Sequence, residues 1–305
     1  MKIISVIGGT GLIGTRLVES LLSSGYGVRL FVRSLVSARS KFDDRVEILE
    51  WKHDVAYLAA LLSGNFGIIN LAGASLADAK WTEEYKKEII QSRTQTTSLI
   101  VNAIEMAPET PQILINASAI GIYGSQGANF LTERSDTGND FLAQVCKAWE
   151  HEALKAQSKT RVVVLRIGIV LSSKGGALEK LLLPFRLYVG GALGDGKQYW
   201  SWIHIDDLVA MFSYALINDT MTGVYNAVAP NPVKVDEFAK ILGKVMGKPS
   251  LFKVPEFVLK ALLGESAEMV LSSQNVSAHK ILDKGFLFKF PALEESLRDL
   301  LKNSR

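Results

Sequence analysis

A glycine-rich segment near the start of the chain is the strongest constraint on its fold. Residues 8–14 read Gly-Gly-Thr-Gly-Leu-Ile-Gly, directly after the apolar run Ile3–Ile7 and at the start of a segment of helical period, Leu12–Ser23. Glycines permit a tight turn and a close backbone approach, and a helix N-terminus directs free N–H groups and the positive end of its dipole at a phosphate. The context therefore predicts a dinucleotide-binding loop, with a glycine-rich turn that binds no ligand as the alternative.

Apolar runs alternate with helical segments through the first half of the chain. Further strands are predicted at Val28–Val32, Val46–Leu49, Ile68–Leu71, Ile113–Asn116 and Arg161–Ile167, and helices at Val55–Leu62, Trp81–Met106 and Phe141–Ala156. The strand runs are continuously apolar, which is typical of a parallel sheet covered by helices on both faces. The pattern predicts an α/β fold built on a Rossmann-type, doubly wound parallel sheet.

The regular alternation lapses after Gly168. Helices are predicted at Asp206–Asn218, Val235–Met246, Glu256–Leu263 and Leu293–Leu301. We therefore expect a smaller, mainly helical C-terminal substrate domain. The nucleotide-binding domain is expected to span residues 1–170, with 198–226 returning to it, and the smaller cap to comprise 171–197 and 227–305.

The residues after the second strand indicate which dinucleotide binds. About 20 residues after the glycine motif, an acid suits the ribose 2′-hydroxyl of NAD, whereas an arginine suits the 2′-phosphate of NADP. The chain carries Val32-Arg33-Ser34 here and no acid before Asp43, which favours NADP(H), with a solvated arginine as the alternative. Leu71-Ala72-Gly73, after the fourth strand, is expected against the nucleotide, although a plain strand-to-loop turn has the same pattern.

Composition argues against several other classes of protein. The chain has 305 residues, of which 48% are hydrophobic, so it can bury a substantial core, and its one cysteine allows no internal disulfide. A net charge of +3 without a basic stripe does not favour nucleic acid as a partner. The four histidines, His53, His151, His204 and His279, show no ligand spacing, and we expect no metal site.

No membrane segment is expected. The uncharged stretch 55–77 is long enough to cross a bilayer, but the turn cluster Ser63–Gly67 divides it and Asn70 would be a polar group in lipid. Met1-Lys2 leads at once into the apolar run Ile3–Ile7, which is shorter than the apolar core of a signal peptide, so we expect a structural strand there. These features predict a cytoplasmic protein.

Several motifs together resemble the extended branch of the short-chain dehydrogenase/reductase superfamily, of the NAD(P)-dependent epimerase/dehydratase type. They are Gly8, Gly11 and Gly14 in GxxGxxG spacing, Asn70–Gly73, Ser118–Gly124, Leu165-Arg166, Ile203–Asp207 and Tyr225-Asn226. Trp81–Tyr85, Ser92-Arg93, Gly175–Leu178 and Leu262–Glu265 resemble an atypical epimerase-family subgroup with its own C-terminal module.

The resemblance implies further cofactor contacts, in addition to those predicted from the glycine loop and the strand ends. It implies that Glu88 and Arg93, on the long helix, reach the nucleotide, with a solvated charge pair as the alternative, and that Val170 lies near the nicotinamide. The full set of expected NADP(H) contacts is Gly8, Thr10, Gly11, Leu12, Ile13, Gly14, Val32, Arg33, Ser34, Leu71, Ala72, Gly73, Glu88, Arg93, Ser118 and Val170.

The chain departs from the family pattern at its catalytic positions. Extended enzymes carry a YxxxK pair on the helix after the fifth strand, with Tyr as proton donor or acceptor and Lys on the nicotinamide ribose. When the family motif is aligned on Glu150, Leu142 occupies the Tyr position and Cys146 the Lys position. When the alignment is shifted by one residue, Ala143 and Lys147 occupy these positions. The position of the usual Ser or Thr holds Ala119, beside Ser118, and an arginine that often clamps the substrate diphosphate is replaced by Trp200.

Other residues have a functional and a structural interpretation each. Ser118 and Tyr123 are the catalytic candidates, although Tyr123 could instead pack against the following helix; Cys146 is either reactive or a buried helical thiol. His204 is either a general base or the end of a strand before a helix that Asp206 caps. Gln198, Trp200 and Trp202 are either pocket walls or an aromatic cluster between the domains.

Two functions are compatible with these features. The first is an NADP(H)-dependent oxidoreductase or epimerase-like enzyme without the usual Tyr/Lys pair, acting on a small polar or aromatic substrate between core and cap. The second is a non-catalytic NADP(H)-binding redox sensor or interaction protein. The sequence leaves the substrate and the oligomeric state open.

Overall fold

A computed structural model describes residues 1–302 and shows a central parallel sheet with helices on both faces. The strands are β1 Ile3–Ile7, β2 Gly27–Val32, β3 Val46–Glu50, β4 Gly67–Asn70, β5 Ile113–Ala119, β6 Phe130–Leu131, β7 Arg161–Ile167, β8 Ile169–Leu171, β9 Gly191–Leu193, β10 Tyr199–Trp200, β11 Trp202–His204, β12 Gly223–Ala227, β13 Val233–Lys234, β14 Phe252–Val254 and β15 Asn275–Val276. The α-helices are α1 Leu12–Ser23, α2 Leu35–Arg39, α3 Val55–Leu62, α4 Glu83–Met106, α5 Phe141–Leu154, α6 Gly176–Arg186, α7 Ile205–Ile217, α8 Val235–Met246, α9 Glu256–Leu263, α10 Glu268–Leu271, α11 His279–Asp283 and α12 Leu293–Leu301.

The seven-stranded sheet has the order β3-β2-β1-β4-β5-β7-β12, and every neighbouring pair is parallel. Ile7, near the end of β1, aligns with Phe31 of β2 on one side and Asn70 of β4 on the other. The strand order reverses between β1 and β4, which creates the crevice where doubly wound sheets bind ligands. The predicted Rossmann-type fold is therefore confirmed.

Alternating residues of the central strands supply two separate cores. In β7, Val163 and Leu165 belong to the cluster that includes Leu17 of α1 and Phe212 of α7. Val162 and Val164 point to the opposite face, where they join the cluster of α3 and α4. Burying such side chains stabilises the fold by about 1.5–3 kcal/mol each, so a strand that is apolar on both faces stays in the centre of the sheet.

The long helix α4, predicted over Trp81–Met106, spans Glu83–Met106. Thr82 is its N-cap, and the Thr82 hydroxyl accepts a hydrogen bond from the Tyr85 N–H at 3.2 Å. Glu83 and Glu84 lie in the first turn, where a carboxylate interacts favourably with the helix dipole. The helix therefore runs from this cap to Met106, two residues before Pro108.

The C-terminal part packs around its own apolar cluster. Trp200, Trp202, Phe238 and Leu297 are all buried there, and Trp200 meets Phe238 edge to face at 5.2 Å. The chain returns to the central sheet in between, since β12 forms the edge strand beside β7 and α7 packs against α1.

The His204–Asp207 segment joins three parts of the molecule. Asp206 accepts a hydrogen bond at 2.8 Å from Nε of Arg16 on α1. The buried Asp207 carboxylate accepts the backbone N–H groups of Lys289 and Phe290 at 2.7 and 2.9 Å. These contacts hold the N-terminus of α7 against α1 and against the turn that precedes α12.

The structure corrects the expected cap of this helix. His204, not Asp206, is the N-cap of α7, and its Nδ1 accepts the Asp206 N–H at 3.0 Å. The Asp206 carboxylate is paired with Arg16, and the His204 imidazole caps the helix instead. His204 is 1% exposed and stacks on Phe290 at a centroid distance of 4.0 Å, so it is a structural group here.

We expect His204 to make stability depend on pH. Burial lowers the pKa of His204. The carboxylates of Asp206, Asp207 and Asp299 raise this pKa by a smaller amount, and the ammonium group of Lys289 lowers it further. The native state therefore binds fewer protons than the unfolded state, and the free energy of unfolding should fall as pH drops below about 6.5 toward the lowered pKa. Urea unfolding of the wild type and of His204→Asn, which keeps a capping side chain, should give a steeper loss for the wild type. Equal pH slopes would refute this role.

Candidate functional site

The three motif glycines have different surroundings. A Cβ on Gly8, whose φ is +80°, would lie 2.7 Å from the carbonyl carbon of Leu71, and one on Gly14 would lie 2.6 Å from the Gly8 oxygen. Both glycines are therefore required for close packing of the loop on β4 and on itself. A Cβ on Gly11 would meet no atom closer than the Gly8 oxygen at 3.6 Å. The space beside Gly11 is open to a ligand.

Gly11 is also the N-cap residue of α1 and provides no side-chain cap. The first N–H groups of the helix, at Leu12 and Ile13, therefore stay available for an anion. Thr10, Gly11 and Leu12 line a cavity of about 730 Å³ that extends along α1 toward α7 and α12. Lys41 lines the same cavity, and its Nζ donates to the Thr10 carbonyl at 3.0 Å. Sequence reasoning missed Lys41 because its position depends on the loop after the short helix α2.

Arg33 and Ser34 follow the end of β2, on the β2–β3 side of the crevice. Arg33 is exposed, and the Ser34 side chain caps α2 by accepting the Ser37 N–H at 3.4 Å. Val32 is buried, and its carbonyl accepts the Trp51 N–H. A cationic side chain and a hydroxyl thus stand at the strand end where the sequence places the 2′-phosphate.

Leu71, Ala72 and Gly73 leave β4 beside the glycine loop, and Arg93 of α4 lies against them. A Cβ on Gly73 would be 2.8 Å from Cζ of Arg93. The guanidinium donates to the carbonyls of Ile89 and Ala74 and lies 5.1 Å above the Trp149 ring, and burial lowers its pKa. The structure therefore brings Arg93 to the sheet edge. Glu88 is exposed on the same helix.

Ser118 and Tyr123 belong to a buried polar network. The Ser118 hydroxyl donates to Glu150 at 2.6 Å, and Glu150 accepts two 2.9 Å hydrogen bonds from Arg166. The Tyr123 hydroxyl donates to Oδ1 of Asn226 at 2.6 Å and accepts from Arg166 at 2.9 Å. Tyr123 is fully buried, and burial raises the pKa of its hydroxyl. Both hydroxyls are engaged in holding β5, β7 and β12 together.

Leu142 and Cys146 face the end of β5. A Cβ on Gly121 would lie 3.3 Å from Leu142 Cβ and 3.9 Å from Cys146 Sγ. Ala143 is fully buried, and Nζ of Lys147 donates to the Gly138 carbonyl. Burial, aided by Glu150, raises the pKa of the Cys146 thiol to about 11, so the sulfur is protonated at neutral pH and is a poor nucleophile.

Gln198, Trp200 and Trp202 are buried within the C-terminal part. Their nitrogens donate to the carbonyls of Leu193, Val270 and Asn231, respectively. These contacts make them part of the packing of that region. Val170 is half-buried in β8, where it aligns with Ile203 of β11.

Within residues 1–302, no three His, Cys, Asp or Glu side chains come together as a metal site would require. Over the same residues, none of the helices combines the length and the apolarity needed to cross a bilayer.

The sheet order, the open glycine loop and the crevice at the β1/β4 reversal define a nucleotide-binding protein of the doubly wound class. The family model described as the NAD dependent epimerase/dehydratase family matches residues 4–227, and a domain of unknown function, DUF1731, matches residues 254–300. The chain belongs to the NAD dependent epimerase/dehydratase family, and the predicted resemblance, including a distinct C-terminal module, is confirmed.

Relatives match along almost the whole chain. The chloroplastic epimerase family protein SDR39U1 homolog of Arabidopsis thaliana is 40% identical over 98% of this chain and 86% of its own length. Epimerase family protein SERP0438 of Staphylococcus epidermidis is 35% identical over 99% of this chain and 100% of its own. The crystal structure of human epimerase family protein SDR39U1 (isoform 2) with NADPH is 33% identical, with a TM-score of 0.90 over 99% of each chain.

Sugar-nucleotide epimerases share the fold at lower identity. UDP-glucuronic acid 4-epimerase from Bacillus cereus superposes with a TM-score of 0.79 at 17% identity, over 99% of this chain and 100% of that one. This likeness concerns the fold alone.

We expect the Glu150–Arg166 pair to be essential for stability. Arg166→Met leaves the Glu150 carboxylate buried without its cation, which should cost about 3–5 kcal/mol in free energy of unfolding. Arg166→Met combined with Glu150→Leu removes both charges and should cost less than Arg166→Met alone. Urea unfolding measures both, with Arg45→Ala at an exposed ion pair as control. A loss in Arg166→Met no larger than in this control would contradict the assignment.

Proposed function

We propose that this protein binds NADP(H) in the crevice between β1 and β4 and acts as an oxidoreductase or epimerase-like enzyme on a substrate held between the sheet edge and the C-terminal part. The observation that carries the proposal is the open space at Gly11, next to an uncapped helix N-terminus. The crystal structure of the human relative with NADPH supports the same cofactor for this chain.

The residues present fit NADP(H). The N–H groups of Leu12 and Ile13 would hold the pyrophosphate, and Arg33, Ser34 and Lys41 would surround the 2′-phosphate. Because the adenosine half then lies over β2, the nicotinamide half lies over β4, β5 and β7. The remaining expected contacts on that side are Leu71, Ala72, Gly73, Glu88, Arg93, Ser118 and Val170.

When bound, NADP(H) supplies or accepts a hydride. The chain's own contribution is to position that group and to exclude water. In this proposal the Tyr/Lys positions are held by Leu142 and Cys146, which face the β5 end and carry no charge at neutral pH. The same two residues favour a second candidate function, a redox sensor or interaction protein that binds NADP(H) without turnover. Residues 1–170 and 198–226 would bind the nucleotide, and 171–197 and 227–305 would form the cap.

Turnover separates the two functions. An oxidoreductase should consume NADPH in the presence of an acceptor, whereas the sensor should change its binding to a partner with the redox state of the cofactor and never consume it. Monitoring NADPH absorbance at 340 nm against a panel of carbonyl acceptors decides between these two. An epimerase-like enzyme regenerates its cofactor and is instead detected by isomerisation of a candidate substrate.

Arg33→Ala should remove the preference for NADPH over NADH. A charge-assisted hydrogen bond contributes about 1.5–3 kcal/mol, so the Kd for NADPH should rise about 10- to 150-fold, while the Kd for NADH stays unchanged. Titration followed by tryptophan fluorescence measures both constants. Arg45→Ala, at an arginine paired with Asp43, is the control. Equal affinity of the wild type for the two cofactors would refute the Arg33 assignment.

Gly11→Ala should weaken NADPH binding with little effect on stability, whereas Gly8→Ala should lower the stability of the fold. Gly11→Ala places its methyl group in the open ligand space, so we expect the unfolding free energy to change by at most about 1 kcal/mol while NADPH affinity drops at least tenfold. Gly8→Ala should destabilise the fold itself, because its Cβ meets the β4 backbone at a φ of +80°. Calorimetry and thermal unfolding test the pair. Unchanged NADPH binding in a folded Gly11→Ala variant would place the cofactor elsewhere.

A further inference from the structure

A cluster of apolar side chains lies beside the part of the crevice assigned to the nicotinamide. Its buried members are Trp81, Ile89 and Val145, with Leu76, Tyr85, Ile90, Phe141, Leu142 and Met269 packed against them. Four of these define what we call the apolar wall: Trp81 before α4, Phe141 and Leu142 at the start of α5, and Met269 of α10. The loop before α4, the start of α5 and helix α10 of the C-terminal module thus contribute to a single surface.

The geometry places the apolar wall next to the reacting end of the crevice. Leu142 lies within 3.3 Å of the Cβ position of Gly121, in the turn directly after β5. Phe141 precedes it and meets Trp81 edge to face at a centroid distance of 5.2 Å. Because β5 follows β4 in the sheet, on the side away from Arg33, this surface lies on the side of the crevice assigned to the nicotinamide.

The cationic groups around the apolar wall already have partners, and the residue before Met269 is the acidic Glu268. Nζ of Lys86 is ion-paired with Glu265 and with Glu83, and it lies 5.6 Å from the centre of the Phe141 ring. Arg93 is bound to two backbone carbonyls. Trp200, at the position where related enzymes often carry a diphosphate-binding arginine, is 4% exposed with its Nε1 donating to the Val270 carbonyl. This region therefore suits an uncharged, flat, apolar molecule better than a nucleotide sugar.

We propose that the apolar wall binds an aromatic hydride acceptor of the quinone class. The inference rests on the proposed function and adds the substrate class to it. A quinone ring, such as that of a naphthoquinone, would lie against Trp81, Phe141 and Met269, with Leu142 beneath its reacting edge. Aromatic side chains and a polarisable methionine sulfur provide favourable contacts for such a ring.

The chemistry of a quinone matches the residues at the Tyr/Lys positions. The quinone accepts one hydride with its electron pair from NADPH and one H⁺ from the solvent, so quinone, NADPH and H⁺ give hydroquinone and NADP⁺. The anion formed on hydride transfer is a phenolate, whose conjugate acid has a pKa near 10, as for tyrosine. Reduction of a simple ketone forms an alkoxide, which is far more basic than a phenolate, so its protonation needs a protein acid. Leu142 has no ionisable group and the Cys146 thiol is buried, so neither position supplies the tyrosine acid that a ketone needs, and a quinone requires none.

Binding is tested without turnover. Menadione is titrated by calorimetry into the complex of the full chain with NADP⁺, which cannot reduce it, and UDP-glucose is titrated in parallel. We expect saturable menadione binding and none for UDP-glucose. Met269→Ala should weaken menadione binding about 5- to 30-fold with NADPH affinity unchanged, whereas Leu251→Ala, at an 82% exposed leucine, should have no effect.

Turnover supplies the second readout. Menadione should be reduced with one NADPH consumed per hydroquinone, and NADPH deuterated at the transferred position should show a primary isotope effect. Phe141→Ala, as a second variant, should raise the KM for menadione more than it lowers kcat.

Two results would overturn the proposal while leaving the proposed function intact. One is tight NADPH binding with no menadione binding to the NADP⁺ complex. The other is menadione binding that a folded Met269→Ala variant leaves unchanged. Failure of NADPH itself to bind would instead refute the proposed function.

Discussion

The close contact between the glycine loop and the end of β4 determines the geometry of the whole crevice. Gly8 touches the Leu71–Ala72 peptide so closely that no side chain fits between them, and Gly14 lies equally close to the Gly8–Gly9 backbone. This contact fixes where α1 begins and points its N-terminus across the point where the strand order reverses. The space at Gly11 is open because Gly8 and Gly14 pack the loop closely against β4 and against itself.

Hydrogen-bonded charges, most of them buried, hold the surrounding elements in register around that crevice. Glu150 and Arg166 link α5 to β7, and through Ser118 and Tyr123 they reach β5 and Asn226 of β12. Asp206 and Asp207 connect α7 to α1 and to the turn before α12. Each group is satisfied by hydrogen bonds, as burial requires, so removal of one partner costs more than removal of both. The chain thus uses tyrosine and serine near the sheet edge for structure.

The sequence predicted the sheet and the cofactor loop because both are local. Continuous apolar runs identify parallel strands, and the loop, its strand and its helix occupy one contiguous stretch. The Thr82 cap of α4 is local in the same way, since its partner is three residues away. In contrast, the prediction that Asp206 caps α7 was wrong. Asp is a preferred capping residue, but the Asp206 carboxylate binds Arg16, which is 190 residues away along the chain.

Contacts distant in sequence were beyond sequence reasoning. Tyr123 finds its acceptor 103 residues away, and nothing in its local pattern reveals that the hydroxyl is taken. Lys41 reaches Thr10 across a loop that shows no periodicity. The apolar wall combines residues near position 81, at 141–142 and at 269, which only the fold brings together. Sequence therefore located the cofactor half of the site better than the substrate half.

The most direct test of the account is a crystal structure of this protein with NADP⁺ bound. We expect the pyrophosphate at the N–H groups of Leu12 and Ile13, the 2′-phosphate within hydrogen-bond distance of Arg33, and the nicotinamide ring between Val170 and Leu142. A dinucleotide bound in the opposite direction, or outside the crevice between β1 and β4, would contradict it.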